Sequence, residues 1–191
     1  MKAKFVAEPM PHVLLEDFYP EEYIPHILND FKSIDKDKTL KGPEGSGTAR
    51  NADGTPKKKN KAIFLPAKGS TVQKLTCDRL YSMDFFNQID CEWWKMAWGK
   101  QKQFNFLMSR YDNGDKYDMH YDRSFFTLLV WLYDEPKPFT GGDLIFNDFD
   151  VTVECKNNTG VIFLGPWHHE VTEVKGQGRY TLTMFTSNGS T

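Results

Sequence analysis

Three cysteines in 191 residues, Cys77, Cys91 and Cys155, are too few and too scattered for a disulfide framework. Their odd number points to a reducing compartment. No apolar run reaches membrane-spanning length, and the opening MKAKFVAEPMPHVLLEDF carries charge throughout, with no apolar signal-peptide segment. The expectation is a cytoplasmic protein with no membrane partner. A net charge of −2 offers no broad basic surface for nucleic acid. Histidine is scarce, with five in the chain, and no Ser–His–Asp or Cys–His set stands out.

What remains is a globular composition: 39% apolar, 26% charged and a high aromatic share of 15%. Aromatic enrichment favours sheet over helix, and the length suits a single domain, 1–191, with one sizeable core. VLL at 13–15 reads as a short strand. Tyr23, Ile24, Ile27, Leu28 and Phe31 then recur at helical spacing behind the acidic first turn of Glu21 and Glu22. From Asp35 to Asn60 apolar residues nearly vanish in a Gly-, Lys- and Asp-rich stretch. Such a length without structure is expected to be a functional lid or a disordered loop. A helix capped by Ser70 or Thr71 is expected to run through Val72, Leu75, Leu80 and Met83.

After Gly99 the texture changes. FNFLMSRY, FFTLLVWLY, DLIFND, VTVEC, TGVIFL, HEVTEV and RYTLTMF are short runs divided by Asn, Gly, Asp and Pro, the spacing of an all-β sandwich or barrel. The expected fold is mainly β with N-terminal helices (α+β). A helical and loop-rich support, 1–103, precedes a jelly-roll core, 104–191.

Within DNGDKYDMHYDRSFF, His120 and Asp122 stand two apart. In a strand they share a face and aim a nitrogen and an oxygen ligand at one point. His168 and His169 are the histidines left outside the N-terminal part. Two histidines and one carboxylate with open positions form the facial triad of non-haem Fe(II) oxygenases, with zinc the main competitor. The bland alternative is a hydrogen-bonded histidine in a surface turn.

At these residues the sequence resembles the prolyl 4-hydroxylase branch of the Fe(II)/2-oxoglutarate dioxygenases. YDNGDKYDMHYD fits Y-x-x-G-x-x-Y-x-x-H-x-D, GGDLIF looks like G-G-x-L-x-F, and HEVTEVKGQGRY resembles H-x-V-x-x-V…G-x-R-Y. The similarity runs from Phe104 to Phe185, with LLEDFYPEEY as a weaker upstream match. The resemblance implies a double-stranded β-helix and an Fe(II) site made by His120, Asp122 and His169. His169 is selected over His168 because it precedes x-V-x-x-V.

By the same resemblance Arg179 grips the distal carboxylate of 2-oxoglutarate. A fixed guanidinium fork suits that group, and Thr183 on the same strand face adds a hydroxyl. Tyr111 is expected on the cofactor side of the iron and Tyr117 nearer the substrate. Trp131 stands where a tyrosine usually contacts the cofactor, and Glu173 replaces a common proline. Arg123 lies near a substrate-contacting arginine of related hydroxylases, one residue out of register. Gly141 and Gly142 read as turn formers. Lys57, Lys58, Lys59 and Lys61 read as a solvated charge run, with closure over an extended peptide as the sharper alternative.

The implied activity is hydroxylation of a peptide or protein substrate, with a prolyl residue favoured. It consumes O2 and 2-oxoglutarate, releases succinate and CO2, and uses ascorbate as the reductant in assays. Two other readings stay open. One is a 2-oxoglutarate oxygenase for another side chain, a small molecule or a nucleic-acid base, although an AlkB-like demethylase would call for a broader basic groove. The other is a non-catalytic metal-binding jelly roll, for which Arg179 would have no use.

Overall fold

The structure is a computed structural model that describes residues 1–36, 48–65 and 70–189. In chain order its elements are β1 (Lys2–Val6), β2 (His12–Glu16), α1 (Ile24–Lys36), β3 (Lys58–Lys59), β4 (Lys61–Phe64), α2 (Thr71–Leu80), α3 (Met83–Gln88) and α4 (Glu92–Gly99). The β-rich half follows: β5 (Gln103–Tyr111), β6 (Lys116–His120), β7 (Phe126–Leu132), β8 (Phe139–Thr140), β9 (Leu144–Phe146), β10 (Val151–Val153), β11 (Thr159–Leu164), β12 (His169–Val171), β13 (Lys175–Gly176) and β14 (Arg179–Ser187).

A seven-stranded sheet has the order β1-β2-β11-β7-β14-β5-β4, and a five-stranded sheet the order β10-β9-β12-β6-β3. The small β13-β8 pair stands apart. Every pairing is antiparallel. This is the double-stranded β-helix, with helices added to the outer face of the larger sheet.

Side-chain alternation sorts the large sheet into two faces. On β7, Phe126, Leu128, Val130 and Leu132 join the cluster beneath the helices, whereas Leu129 and Trp131 face the small sheet. β11 repeats the division, with Ile162 outward and Val161 and Phe163 inward. All seven residues of β7 are buried, as expected of a central strand covered on both sides. The helical layer is anchored by the fully buried Trp94 and Trp98, whose rings lie 4.7 and 5.3 Å from that of Phe126.

Two sequence expectations are corrected, and one helix is added. The helix expected to run on through Met83 ends at Leu80, because Ser82 accepts a hydrogen bond from the Phe85 N–H (3.1 Å) and starts α3. A further helix, α4, buries Trp94 and Trp98 and was not anticipated. The Asp35–Asn60 stretch is not wholly structureless: α1 reaches Lys36, Arg50 bridges Pro56, and β3 pairs with β6. Its middle part, 37–47, lies outside the described residues. No helix among the described residues is long and apolar enough to cross a membrane.

Candidate active site

Antiparallel pairing of β12 with β6 sets His169 directly opposite His120. The register shifts between His169 and Val171, a bulge of the kind that re-aims side chains. Asp122 lies two residues beyond His120 but past the end of β6, where its N–H donates to the Gly165 carbonyl (2.8 Å). The same-face expectation is therefore met by the turn leaving the strand. His120 Nε2 is 3.9 Å from Asp122 Oδ1, and His169 Nε2 is 3.5 Å from Asp122 Oδ2. One ligand atom from each residue lies within 4.8 Å of the others.

The protonation pattern suits metal ligation. His120 Nδ1 meets the Asp118 carbonyl at 2.9 Å, and His169 Nδ1 meets the Trp167 carbonyl at 2.8 Å. A carbonyl only accepts, so each Nδ1 carries the hydrogen and each Nε2 presents a lone pair to the common point. Burial, aided by the neighbouring His169, pushes His120 down to about 2 and keeps it neutral. Burial pushes Asp122 up, opposed by His169, Thr127 and Lys58. A buried carboxylate beside two imidazoles whose Nε2 atoms converge on it is a place where a divalent cation relieves the desolvation cost. Asp122 is further held by Thr127, whose hydroxyl donates to Oδ2 (2.7 Å), leaving Ser124 to donate to Thr127 Oγ1 (2.7 Å).

Beside the triad a narrow cavity of about 50 Å³ runs between the sheets. Arg179, Thr181 and Thr183 of β14 line it together with Ser109 of β5, a polar row on the inner face of an otherwise apolar sheet. Arg179 is 1% exposed. Its Nε donates to the Gly142 carbonyl (2.9 Å), its Nη1 to Thr181 Oγ1 (2.7 Å), and its guanidinium lies 4.6 Å above the Tyr111 ring. Nη2 is buried with no hydrogen-bond partner among the described residues. Leaving a charged donor unpaired is costly, and a carboxylate entering the cavity would satisfy it. Gly142, at φ +74°, makes room: a Cβ there would stand 2.6 Å from Arg179 Cδ. Burial pushes Tyr111 up to about 12 against the opposing pull of Arg179, so its phenol stays protonated.

Tyr117 stacks on His120 with centroids 3.4 Å apart and lines both this cavity and a larger outer cleft of about 780 Å³. Arg123 is exposed on that cleft. His168 points away and pairs with Asp148 at 3.1 Å. Trp131 does not line the cavity. Leu129, two residues earlier on the same face, does so, while the Trp131 indole N–H is buried deeper between the sheets without a partner among the described residues.

Sequence reasoning missed Thr181, Ser109, Thr127 and Lys58. Thr181 had a signal, since it sits between Arg179 and Thr183 at the alternation of one strand face. Lys58 corrects the solvated-face reading for one lysine of its run. It is buried in the cavity wall, its Nζ lies 5.7 Å from the Tyr117 ring centroid, and burial pushes it down to about 8.

Residues 106–187 match the family described as the 2OG-Fe(II) oxygenase superfamily. No curated protein matches the sequence. Among solved structures, a Pseudomonas putida prolyl-4-hydroxylase is 18% identical over 94% of this chain and 93% of its own, with a TM-score of 0.64. A Trichoplax adhaerens prolyl hydroxylase in complex with a hypoxia inducible factor peptide fragment is 12% identical over 93% and 83%, at 0.66. The viral collagen prolyl hydroxylase of Paramecium Bursaria Chlorella virus-1, in its 2OG complex, is 14% identical over 95% and 98%, at 0.63. With the family match falling on the β core that holds the His–Asp–His cluster, residues 106–187 form a 2OG-Fe(II) oxygenase core, and the chain is an Fe(II)- and 2-oxoglutarate-dependent dioxygenase with a prolyl 4-hydroxylase-like fold.

Proposed function

We propose that this dioxygenase hydroxylates a peptidyl substrate, with a prolyl residue as the favoured target and succinate and CO2 as co-products. The observation that carries the reading is a pairing within one space: three convergent ligand atoms, and a buried guanidinium with an unpaired Nη2. His120, Asp122 and His169 hold Fe(II). Arg179, with Thr183 and the phenol of Tyr111, holds the distal carboxylate of 2-oxoglutarate, and Leu129 supplies an apolar wall. Bound Fe(II) and 2-oxoglutarate together supply the O2-dependent oxidation.

The chain's own residues orient and shield. Carbonyls of Asp118 and Trp167 fix the two imidazole tautomers, and Thr127 fixes the carboxylate. Tyr117, packed flat on His120, separates cofactor from substrate. The substrate enters by the outer cleft, where His120 and Asp122 form part of the floor and Arg123 contacts it. The prolyl hydroxylases of similar fold, one solved with a peptide fragment bound, support a peptide in this position. The three free cysteines support a reducing compartment, and we place the protein in the cytoplasm.

The test is succinate formation from 2-oxoglutarate under air with Fe(II) and ascorbate, with and without proline-rich peptides. The expected result is peptide-stimulated succinate and a peptide product heavier by one oxygen atom. Succinate that no peptide stimulates would overturn the peptidyl substrate. No succinate in protein shown to hold both iron and 2-oxoglutarate would overturn the site assignment.

A further inference from the structure

The outer cleft carries charge of one sign. Arg50, Lys57 and Arg123 all line it, and among the described residues its single carboxylate is Asp122, which the proposed iron site claims. None of the three cations has a carboxylate at ion-pair distance among the described residues. Arg50 donates to the Gly54 carbonyl (2.8 Å) and Lys57 to the Met119 carbonyl (2.7 Å), contacts that fix position without neutralising charge. By contrast Lys2, Lys32, Lys95, Lys116 and Lys156 each sit against a carboxylate.

Their placement follows the ligands. Met119 precedes His120, so the Lys57 ammonium is held beside one histidine, and Arg123 directly follows Asp122. Arg50 projects from the turn closed by hydrogen bonds between Asn51 and Thr55 and between Gly54 and Asn51. Exposed Phe64 and Tyr121 add apolar and aromatic surface to the cleft. From this we infer that the substrate is an acidic peptide, carrying Asp or Glu on both sides of the residue placed over the iron.

The inference rests on the proposed role of this cleft as the substrate channel. A peptide fits better than a nucleic acid. A nucleic-acid strand carries a negative charge at every step and calls for a basic stripe beyond the cleft, whereas the chain as a whole is at −2.

The experiment measures binding by fluorescence anisotropy without oxygen, with Fe(II) and 2-oxoglutarate present. Three labelled proline-centred peptides differ only in flanking residues: Asp and Glu, Ser and Ala, or Lys. The acidic peptide is expected to bind roughly tenfold tighter than the Lys-flanked one, the sum of three modest exposed charge pairs. Added salt should erode that advantage. The triple variant Arg50→Glu, Lys57→Glu, Arg123→Glu should reverse the order. The salt series on the native protein tests the same point should the variant fail to fold.

Equal affinities, no binding by any of the three, or tighter binding of a short single-stranded oligonucleotide would each overturn the inference. Succinate formation is followed separately. Its presence alongside charge-blind peptide binding sinks the acidic preference and leaves the oxygenase standing. Its absence alongside acidic binding does the reverse.

Discussion

Thr127 touches neither the cofactor cavity nor the outer cleft, yet it holds the carboxylate on which the proposed iron site depends. Its hydroxyl donates to Asp122 Oδ2 at 2.7 Å, which fixes the carboxylate rotamer and leaves Oδ1 toward His120. Partners of this kind orient metal ligands, and their loss typically costs about 10- to 100-fold in metal affinity or activity. Thr127→Val, nearly isosteric, should weaken Fe(II) binding by about that factor in a metal titration, while Thr127→Ser restores it. Unchanged affinity in the valine variant would show that Asp122 needs no such support.

Gly142 permits a second residue-scale test. A methyl group there would meet Arg179 Cδ at 2.6 Å in a backbone at φ +74°, so Gly142→Ala should displace the guanidinium and raise the KM for 2-oxoglutarate severalfold. Gly178 also has positive φ, but among the described residues nothing lies within 4 Å of its missing Cβ. Gly178→Ala should therefore carry the backbone cost alone, lowering stability with KM unchanged. A rise in KM for both variants would mean that backbone strain, not collision, moves Arg179.

Among the elements, α2 shows how local chemistry supports the site from outside. Ser70 accepts from the Gln73 N–H, and Gln73 returns a side-chain oxygen to the Ser70 N–H (2.7 Å), a complete capping box. Ser70→Ala should cost about 1 kcal/mol and lower the Tm by about 2–4 °C in a thermal melt, with the KM for 2-oxoglutarate unaffected.

The sequence narrowed this cap to Ser70 or Thr71, the two hydroxyl residues ahead of an apolar pattern at helical spacing, and the Gln73 hydrogen bonds decide for Ser70. The point where α2 ends was less legible: Leu80 and Met83 continue that spacing, and only the hydrogen bond of Ser82 to Phe85 breaks it. All seven β runs after Gly99 were found as strands, since alternation and turn residues are local signals. What could not be read was which inner residues face one another. β7 is apolar on both sides, so its sequence does not say that Leu129 lines the cavity and Trp131 does not. β14 is different, because Arg179, Thr181 and Thr183 alternate with Tyr180, Leu182 and Met184, a polar face on a buried strand. Lys58 was hidden among exposed lysines. Its burial follows from a two-residue pairing of β3 with β6, a nonlocal contact that composition does not reveal.

In the whole molecule, the two halves of the proposed cofactor site belong to different sheets. His120 and His169 lie on β6 and β12 of the five-stranded sheet, and Arg179 lies on β14 of the seven-stranded sheet. Metal alone then ties together residues of one sheet. On the proposed assignment, 2-oxoglutarate held both at the metal and by Arg179 ties one sheet to the other. Ligands that bind only the folded state stabilise it by RT ln(1 + [L]/Kd), so thermal shift reads this linkage directly. Fe(II) without oxygen should raise the Tm modestly, and 2-oxoglutarate without metal should add little. The two together should raise it by more than the sum of the separate shifts. Arg179→Gln, which shortens the side chain and removes its charge, should keep the metal increment and lose the excess. Asp122→Ala should lose the metal increment and, with it, the excess. Additive shifts in the native protein would mean that the two groups bind without bridging the sheets, and the role given to Arg179 would then have to be abandoned even if the iron site stood.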